Sequence, residues 1–188
     1  MAIFSAGSSF NWVQHQICRD IIKTAKNTGA DPFQLMIDLA KGSPAGANKL
    51  IFNPSLGGGS SLDKSSKIRG AYTGLDLGHT QADLIRSAME GIAMGKRVIL
   101  DEFRNLTEIN DEMIVVGGGS KSKSWRQIYS DIYNMNIVKT NIDQQAAALG
   151  AAAVAAVGTG LWSDFEQVDK THNIEEIVCP DSENNKIY

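Results

Sequence analysis

A β-branched run that ends in three consecutive glycines, Val115-Val116-Gly117-Gly118-Gly119, sets the tightest limit on how this chain folds. Met113 to Val116 has the composition of a short strand, and the glycines that follow have no side chains to pack and favour a turn. A helical stretch runs from about Lys123 to Asn134, then a second strand candidate from Asn136 to Thr140. Asn141 and Asp143 stand where caps are needed ahead of a helix from Gln144 to Val157. Strand, glycine loop, helix, strand, helix is a βαβα order, which predicts an α/β fold with parallel pairing. The last helix is rich in alanine and carries Gly150, a composition that lets it lie close against a sheet or another helix.

Upstream, Phe10, Val13, Ile17 and Ile21 recur at helical spacing between Gly7 and Asn27, with Gly29 as the stop. Asp31 is placed as an N-cap with Pro32 at the first helical position, and that helix runs to about Ala40. Lys41 to Asn48 reads as loop, Leu50 to Phe52 as a short apolar run, and Gly57 to beyond Arg69 as a flexible loop. Thr80 and Asp83 have capping-box spacing at the head of a long helix. Leu84, Ala88, Met89, Ile92, Ile99 and Phe103 mark its apolar face. Ile174 to Val178 is one further apolar run. Only two or three good strands stand among five or six helices, so the fold is expected to be helix-rich with a small, partly parallel sheet. An unpaired sheet edge and uncovered helix faces would favour association, as a homo-oligomer or with a separate partner.

The 188 residues suffice for one domain with its own core, and 43% hydrophobic with 21% charged residues is a soluble globular composition. A net charge of −3 without a basic stripe argues against a nucleic-acid partner. Cys18 and Cys179 are far apart and form neither a disulfide framework nor a zinc motif; reduced thiols fit a cytoplasmic location. Met1 to Phe10 lacks the basic start of a signal peptide, and no run is long enough to span a membrane. His15, His79 and His172 share no metal-ligand spacing, and no metal ligand is expected. Asp76, Asp83, Glu90, Asp101 and Glu102 read mostly as helix-start or surface charges, with Glu90 able to hydrogen-bond a neighbouring loop. Asp131 reads as a helix-end or packing residue. Trp12, Trp125 and Trp162 read as core or domain-interface residues.

A loop without Cβ atoms between a strand and a helix start lets backbone approach a ligand closely. Unpaired N–H groups at the helix start favour an anion there. Ser120, Lys121 and Ser122 could add hydroxyl and charge contacts to phosphate or ribose. Each exposed contact of this kind contributes only ~0.3–1 kcal/mol. The loop matches neither the Walker A nor the GxGxxG pattern, and a triple glycine taken alone is more often a turn than a phosphate site.

The flanks add a resemblance. Gly70-Ala71-Tyr72-Thr73-Gly74-Leu75, followed through Thr80 to Asp83-Leu84-Ile85-Arg86-Ser87-Ala88-Met89-Glu90-Gly91, resembles the second signature of the FGGY carbohydrate kinases. Gly117 to Ser122 with Trp125, Gln127 and Ser130-Asp131-Ile132 resembles that family's nucleotide segment. Ala146 to Ala152 resembles the helix that connects its two domains. The pattern is most like the xylulokinases. The resemblance implies the C-terminal, nucleotide-side domain of an actin/hexokinase-like (RNase H-like) fold. The implied activity is transfer of the γ-phosphate of ATP to a sugar hydroxyl, D-xylulose first among the candidates, with magnesium (Mg2+). It carries nucleotide contacts onto Gly7, Asn11, Gly117, Gly118, Gly119 and Ser122. Position 122 is serine where some members have asparagine, and Gly58-Gly59-Ser60 stands where members often have Gly-Glu-Arg.

In that family the catalytic base and the sugar-binding residues lie in an N-terminal domain. The expectation is therefore that residues 1–188 are an incomplete C-terminal part, with no catalytic residue of its own and no activity in isolation. Two alternatives stay open: an ATP-binding domain of the same fold class that does no sugar chemistry, and a non-catalytic binding or scaffold module.

Overall fold

The computed structural model describes residues 6–59, 63, 65–142 and 145–188. They form two compact units, one running through Ile109 and taking back Glu183–Tyr188, the other spanning Asn110–Ser182. The expected cap at Asp143, the helix start at Gln144 and the departure at Ser60 lie outside the described residues.

In the first unit, α1 (Ala6–Gln16), α2 (Arg19–Thr28) and α3 (Pro32–Ala40) precede a short antiparallel pair, β1 (Ile51–Asn53) with β2 (Ala71–Thr73), and the long α4 (Gln81–Leu106). α3 is built as the sequence reads: Asp31 accepts from the N–H of Phe33 at 2.9 Å, and Pro32 sits at the first helical position, where its missing N–H costs nothing. α4 packs on β1, α3 and α1. Val13, Met36, Leu50, Ile85, Met89 and Ile92 are buried in this unit, each contributing roughly 1.5–3 kcal/mol. Gly91 of α4 lies so close to β1 that a Cβ there would meet the Phe52 carbonyl oxygen at 2.0 Å.

The single helix expected between Gly7 and Asn27 is two helices, broken at Cys18. The N–H groups of Ile17 and Cys18 both donate to the Val13 carbonyl, at 2.9 and 3.1 Å. The carbonyl of Ile17 instead accepts from the Gln81 side chain at 3.1 Å, a tertiary contact that no local pattern announces. Trp12 is 41% exposed, so it is not a core residue.

The second unit holds a three-stranded sheet of order β3–β4–β5, formed by Glu112–Ile114, Asn136–Thr140 and Ile174–Val178. β3 and β4 are parallel, with Met113 opposite Ile137, as the βαβα order predicts. β4 and β5 are antiparallel. The strand expected to Val116 ends at Ile114, although Val115 still donates to Val138 at 3.1 Å. α5 (Lys123–Tyr133) packs on β4 and β5 with Trp125, Ile128, Tyr129, Ile132 and Tyr133 inward, the stripe of an amphipathic helix. Asn134 ends it in the left-handed region, φ 52°.

The described strands number five, each three to five residues long, so the expected shortage lies in length rather than number. β2 falls just past the stretch read as flexible loop, and its three residues are too few for an alternating pattern to show. α6 (Ala146–Gly158) packs on a short 3-10 segment, Phe165–Thr171, and a Cβ at Gly150 would meet nothing within 4 Å. The close packing expected at Gly150 is therefore absent. A helix apolar on all sides has no directional face to say which side is covered. A last helix, α7 (Ser182–Ile187), closes the chain.

Candidate functional site: a glycine turn ahead of α5

Gly117 leaves β3 with φ 90°, a conformation that L side chains rarely adopt. The chain then makes a 3-10 turn, Gly118–Lys121, before α5 begins. This differs from a loop that runs straight into an α-helix. Ser120 makes the turn: its N–H and its hydroxyl both donate to the Gly117 carbonyl, at 3.1 and 2.7 Å. Ser120 is 1% exposed, so its hydroxyl closes the turn rather than facing a ligand. Ser122 is the N-cap of α5, and its hydroxyl accepts from the Trp125 N–H at 3.4 Å.

Gly118 and Gly119 open the turn, the positions whose N–H groups have no partner within it. A Cβ at Gly117 or Gly118 would meet nothing within 4 Å, whereas at Gly119 it would meet the Tyr129 hydroxyl at 3.4 Å, the Tyr129 ring at 3.9 Å and the Trp125 ring at 4.0 Å. Gly117 and Gly118 thus border open space at the start of a turn that Ser120 closes on the Gly117 carbonyl. That arrangement suits an anion that comes close to backbone, which phosphate does. Trp125 and Tyr129 lie beneath, ring centroids 5.5 Å apart and tilted by 35°, and are buried.

The turn is held from behind. Arg126, 3% exposed, donates from Nη1 to the Ser120 carbonyl and from Nη2 to Glu176 of β5. The other Glu176 oxygen lies 3.2 Å from Lys123 Nζ. Lys123 first, helped by the Arg126 charge, holds the Glu176 carboxyl below its ordinary range. Sequence reasoning passed over Arg126 and Glu176, because nothing local links residues 50 apart.

Gly7 and Asn11 lie one turn apart on α1 in the first unit, both exposed. Nothing lies within 4 Å of a Cβ at Gly7, and the Asn11 carbonyl is 2.8 Å from His15 Nδ1.

The carboxylates of the Gly70–Glu90 segment do structural work. Asp83 is 3% exposed. Its Oδ1 accepts from Ser43 at 2.6 Å and Asn48 at 2.8 Å, and its Oδ2 from the N–H and hydroxyl of Thr80 at 2.8 and 2.7 Å. Burial pushes this carboxyl up, but the four hydrogen bonds outweigh it and hold the pKa at about 2. Glu90 accepts from the Gly46 N–H at 3.1 Å, Arg86 at 2.6 Å and the Tyr188 hydroxyl at 2.6 Å. Burial, then the Glu90 charge, raises the Tyr188 phenol well above its usual range, which keeps its proton available to Glu90. His79 lies 3.2 Å from the Asn48 carbonyl.

Together they grip Gly46, Ala47, Asn48 and Lys49, whose φ values of 78°, 44°, 53° and 72° make a left-handed turn at the end of the stretch read as plain loop, Lys49 lying just past it. The Gly46 and Asn48 residue types, both tolerant of that region, were the available signal. Asp131 accepts from Gln127 at 2.7 Å and from the Asp181 N–H at 2.8 Å, a packing role. Among the described residues no group of three His, Cys, Asp or Glu could hold a metal ion, and no helix is long and apolar enough to cross a membrane.

The family model described as FGGY family of carbohydrate kinases, C-terminal domain, matches residues 1–159. This chain belongs to the FGGY family of carbohydrate kinases. A xylulose kinase of Staphylococcus epidermidis is 30% identical over 185 residues, 98% of this chain and 35% of the relative. A gluconokinase of Bacillus subtilis is 28% identical over 168 residues, 87% of this chain and 32% of the relative. The ligand-bound xylulose kinase of Lactobacillus acidophilus superimposes with a TM-score of 0.81 at 27% identity, over 97% of this chain and 35% of that one. This FGGY chain thus has the fold of the family's C-terminal domain and spans about a third of the length of the relatives it matches.

Proposed function

We propose that the chain is the nucleotide-side part of an ATP-dependent sugar kinase, in which Gly117, Gly118 and Gly119 receive the phosphates of ATP. The observation that carries this is the open space bordered by Gly117 and Gly118, in a chain of the FGGY family. Ser122 adds its capped position at the same turn. For Gly7 and Asn11 the support is the family resemblance alone. D-xylulose is the first acceptor to test, because xylulose kinases recur among the relatives. The gluconokinase at 28% identity keeps other sugars in the comparison.

Phosphoryl transfer is mostly positioning and charge neutralisation. This chain's share is to hold the nucleotide by backbone amides in a turn that does not need to reorganise. Magnesium would accompany ATP, and the described residues offer no group of three His, Cys, Asp or Glu to hold it. A general base and a sugar site are proposed to lie in an N-terminal domain like that of the relatives.

The test is ADP and ATP titration of the chain by calorimetry and amide shift mapping, wild type against Gly118→Val. Because a Cβ at Gly118 meets nothing, the variant keeps its fold. Its added methyls project into the space the phosphate needs, and binding is lost. A half-site is expected to bind no tighter than about 1 mM, roughly −4 kcal/mol. Equal affinity in the two proteins would overturn the reading.

A further inference from the structure

We infer that Arg126 and Glu176 form a clamp that sets the Gly117–Ser120 turn in its phosphate-receiving shape, which makes both of them positioning residues for nucleotide binding. The inference rests on the nucleotide reading of the turn. Neither residue touches the open space that Gly118 borders; each acts through the Ser120 carbonyl.

The geometry is specific. Ser120 is locked on both sides of its peptide plane system: its N–H and hydroxyl go to the Gly117 carbonyl, and its own carbonyl accepts from Arg126 Nη1. The guanidinium is 3% exposed and its Nε is buried without a partner, so Nη1 and Nη2 carry its hydrogen bonds. Nη2 is fixed by Glu176, which β5 pairs opposite Lys139 of β4. A planar fork is suited to span a carbonyl and a carboxylate at once, and an ammonium is not. A buried cation with one partner removed pulls toward water or toward a new acceptor, and the nearest freedom is in the glycine turn. The turn itself is rich in glycine and has little stiffness of its own. The sheet therefore reaches the phosphate site through one ion pair: β5 holds Glu176, Glu176 holds Arg126, and Arg126 holds the turn.

Arg126→Ala would leave the Ser120 carbonyl without its donor and Glu176 with Lys123 alone, and it risks unfolding the unit, so the decisive variant is Glu176→Gln. Its side chain is 34% exposed, it keeps the shape, and it removes the charge. The full chain, isotope-labelled, is followed without nucleotide and then titrated with ADP. Without nucleotide, the amide signals of Gly117–Lys121 move in Glu176→Gln while those of α4 stay in place. With ADP, the dissociation constant rises about tenfold, the scale set by a hydrogen bond that loses its charge assistance. Arg126→Lys gives the same pair of effects. A residue with a merely structural role would lower Tm and leave the affinity of the folded protein unchanged. Unmoved turn signals in Glu176→Gln, or an ADP affinity within about twofold of wild type, would overturn the clamp. If wild type itself gives no ADP-induced shifts, the nucleotide reading and the positioning role fall together, and the nucleotide-free shifts still decide whether the clamp shapes the turn.

Discussion

Asp83 shows how one carboxylate can serve three segments. It closes the start of α4 through Thr80, and through Ser43 and Asn48 it holds the chain ahead of the left-handed turn and within it. Replacing it by alanine strands those donors in a buried place, and Asp83→Ala is expected to cost about 2–4 kcal/mol in urea unfolding. Its pH dependence has a definite sign. The carboxyl titrates near 2 when folded and near about 3.9 when unfolded, so the unfolded state binds the extra proton. The Asp83 contribution is full above about pH 4 and fades as pH falls through about 2. Unfolding curves taken across that window should show a shallower acid slope in Asp83→Asn than in wild type, with Asp101 and Glu176 supplying part of the remainder.

Two elements meet at less than side-chain distance where α4 crosses β1. Gly91→Ala would place a Cβ 2.0 Å from a backbone oxygen of Phe52. Alanine favours the helix by up to about 1 kcal/mol, but the overlap with rigid backbone costs roughly 1–3 kcal/mol and wins. A thermal melt should show a lowered Tm. The end of α7 is held to α4 by Tyr188, which donates to Glu90 and accepts from Arg86 at 2.9 Å. Tyr188→Phe removes both contacts and leaves a buried ion pair less satisfied. A loss of about 1–2 kcal/mol is expected by denaturant melt, with Arg86→Lys and Tyr188→Phe less than additive in a double-mutant cycle.

The chain as a whole is proposed to carry a nucleotide site and no catalytic base. Losing a general base lowers a rate roughly 10²–10⁴-fold, and losing the sugar site removes a positioning effect of ~7–11 kcal/mol. A coupled assay with ATP and D-xylulose should therefore find no turnover from the purified chain, and mixing with an N-terminal domain should restore it. Association is also expected, because α6 leaves Val154 63% exposed on a helix that is apolar all round. Light scattering that finds only monomer would count against it.

The parallel β3–β4 pair with α5 between them could be read directly, and so could the caps at Asp31 and at Thr80 with Asp83. These signals act within a turn or two of chain, where residue type and spacing fix backbone geometry. The break at Cys18, the left-handed turn at Gly46–Lys49 and the grip of Arg126 on Ser120 through Glu176 could not be read in that way. Each depends on partners brought close by folding: Gln81 for Ile17, Asp83 and Glu90 for the turn, β5 for Arg126. A local pattern can say that a segment has polar groups to satisfy. Which distant group satisfies them is settled only when the core has formed and the backbone has nowhere else to turn.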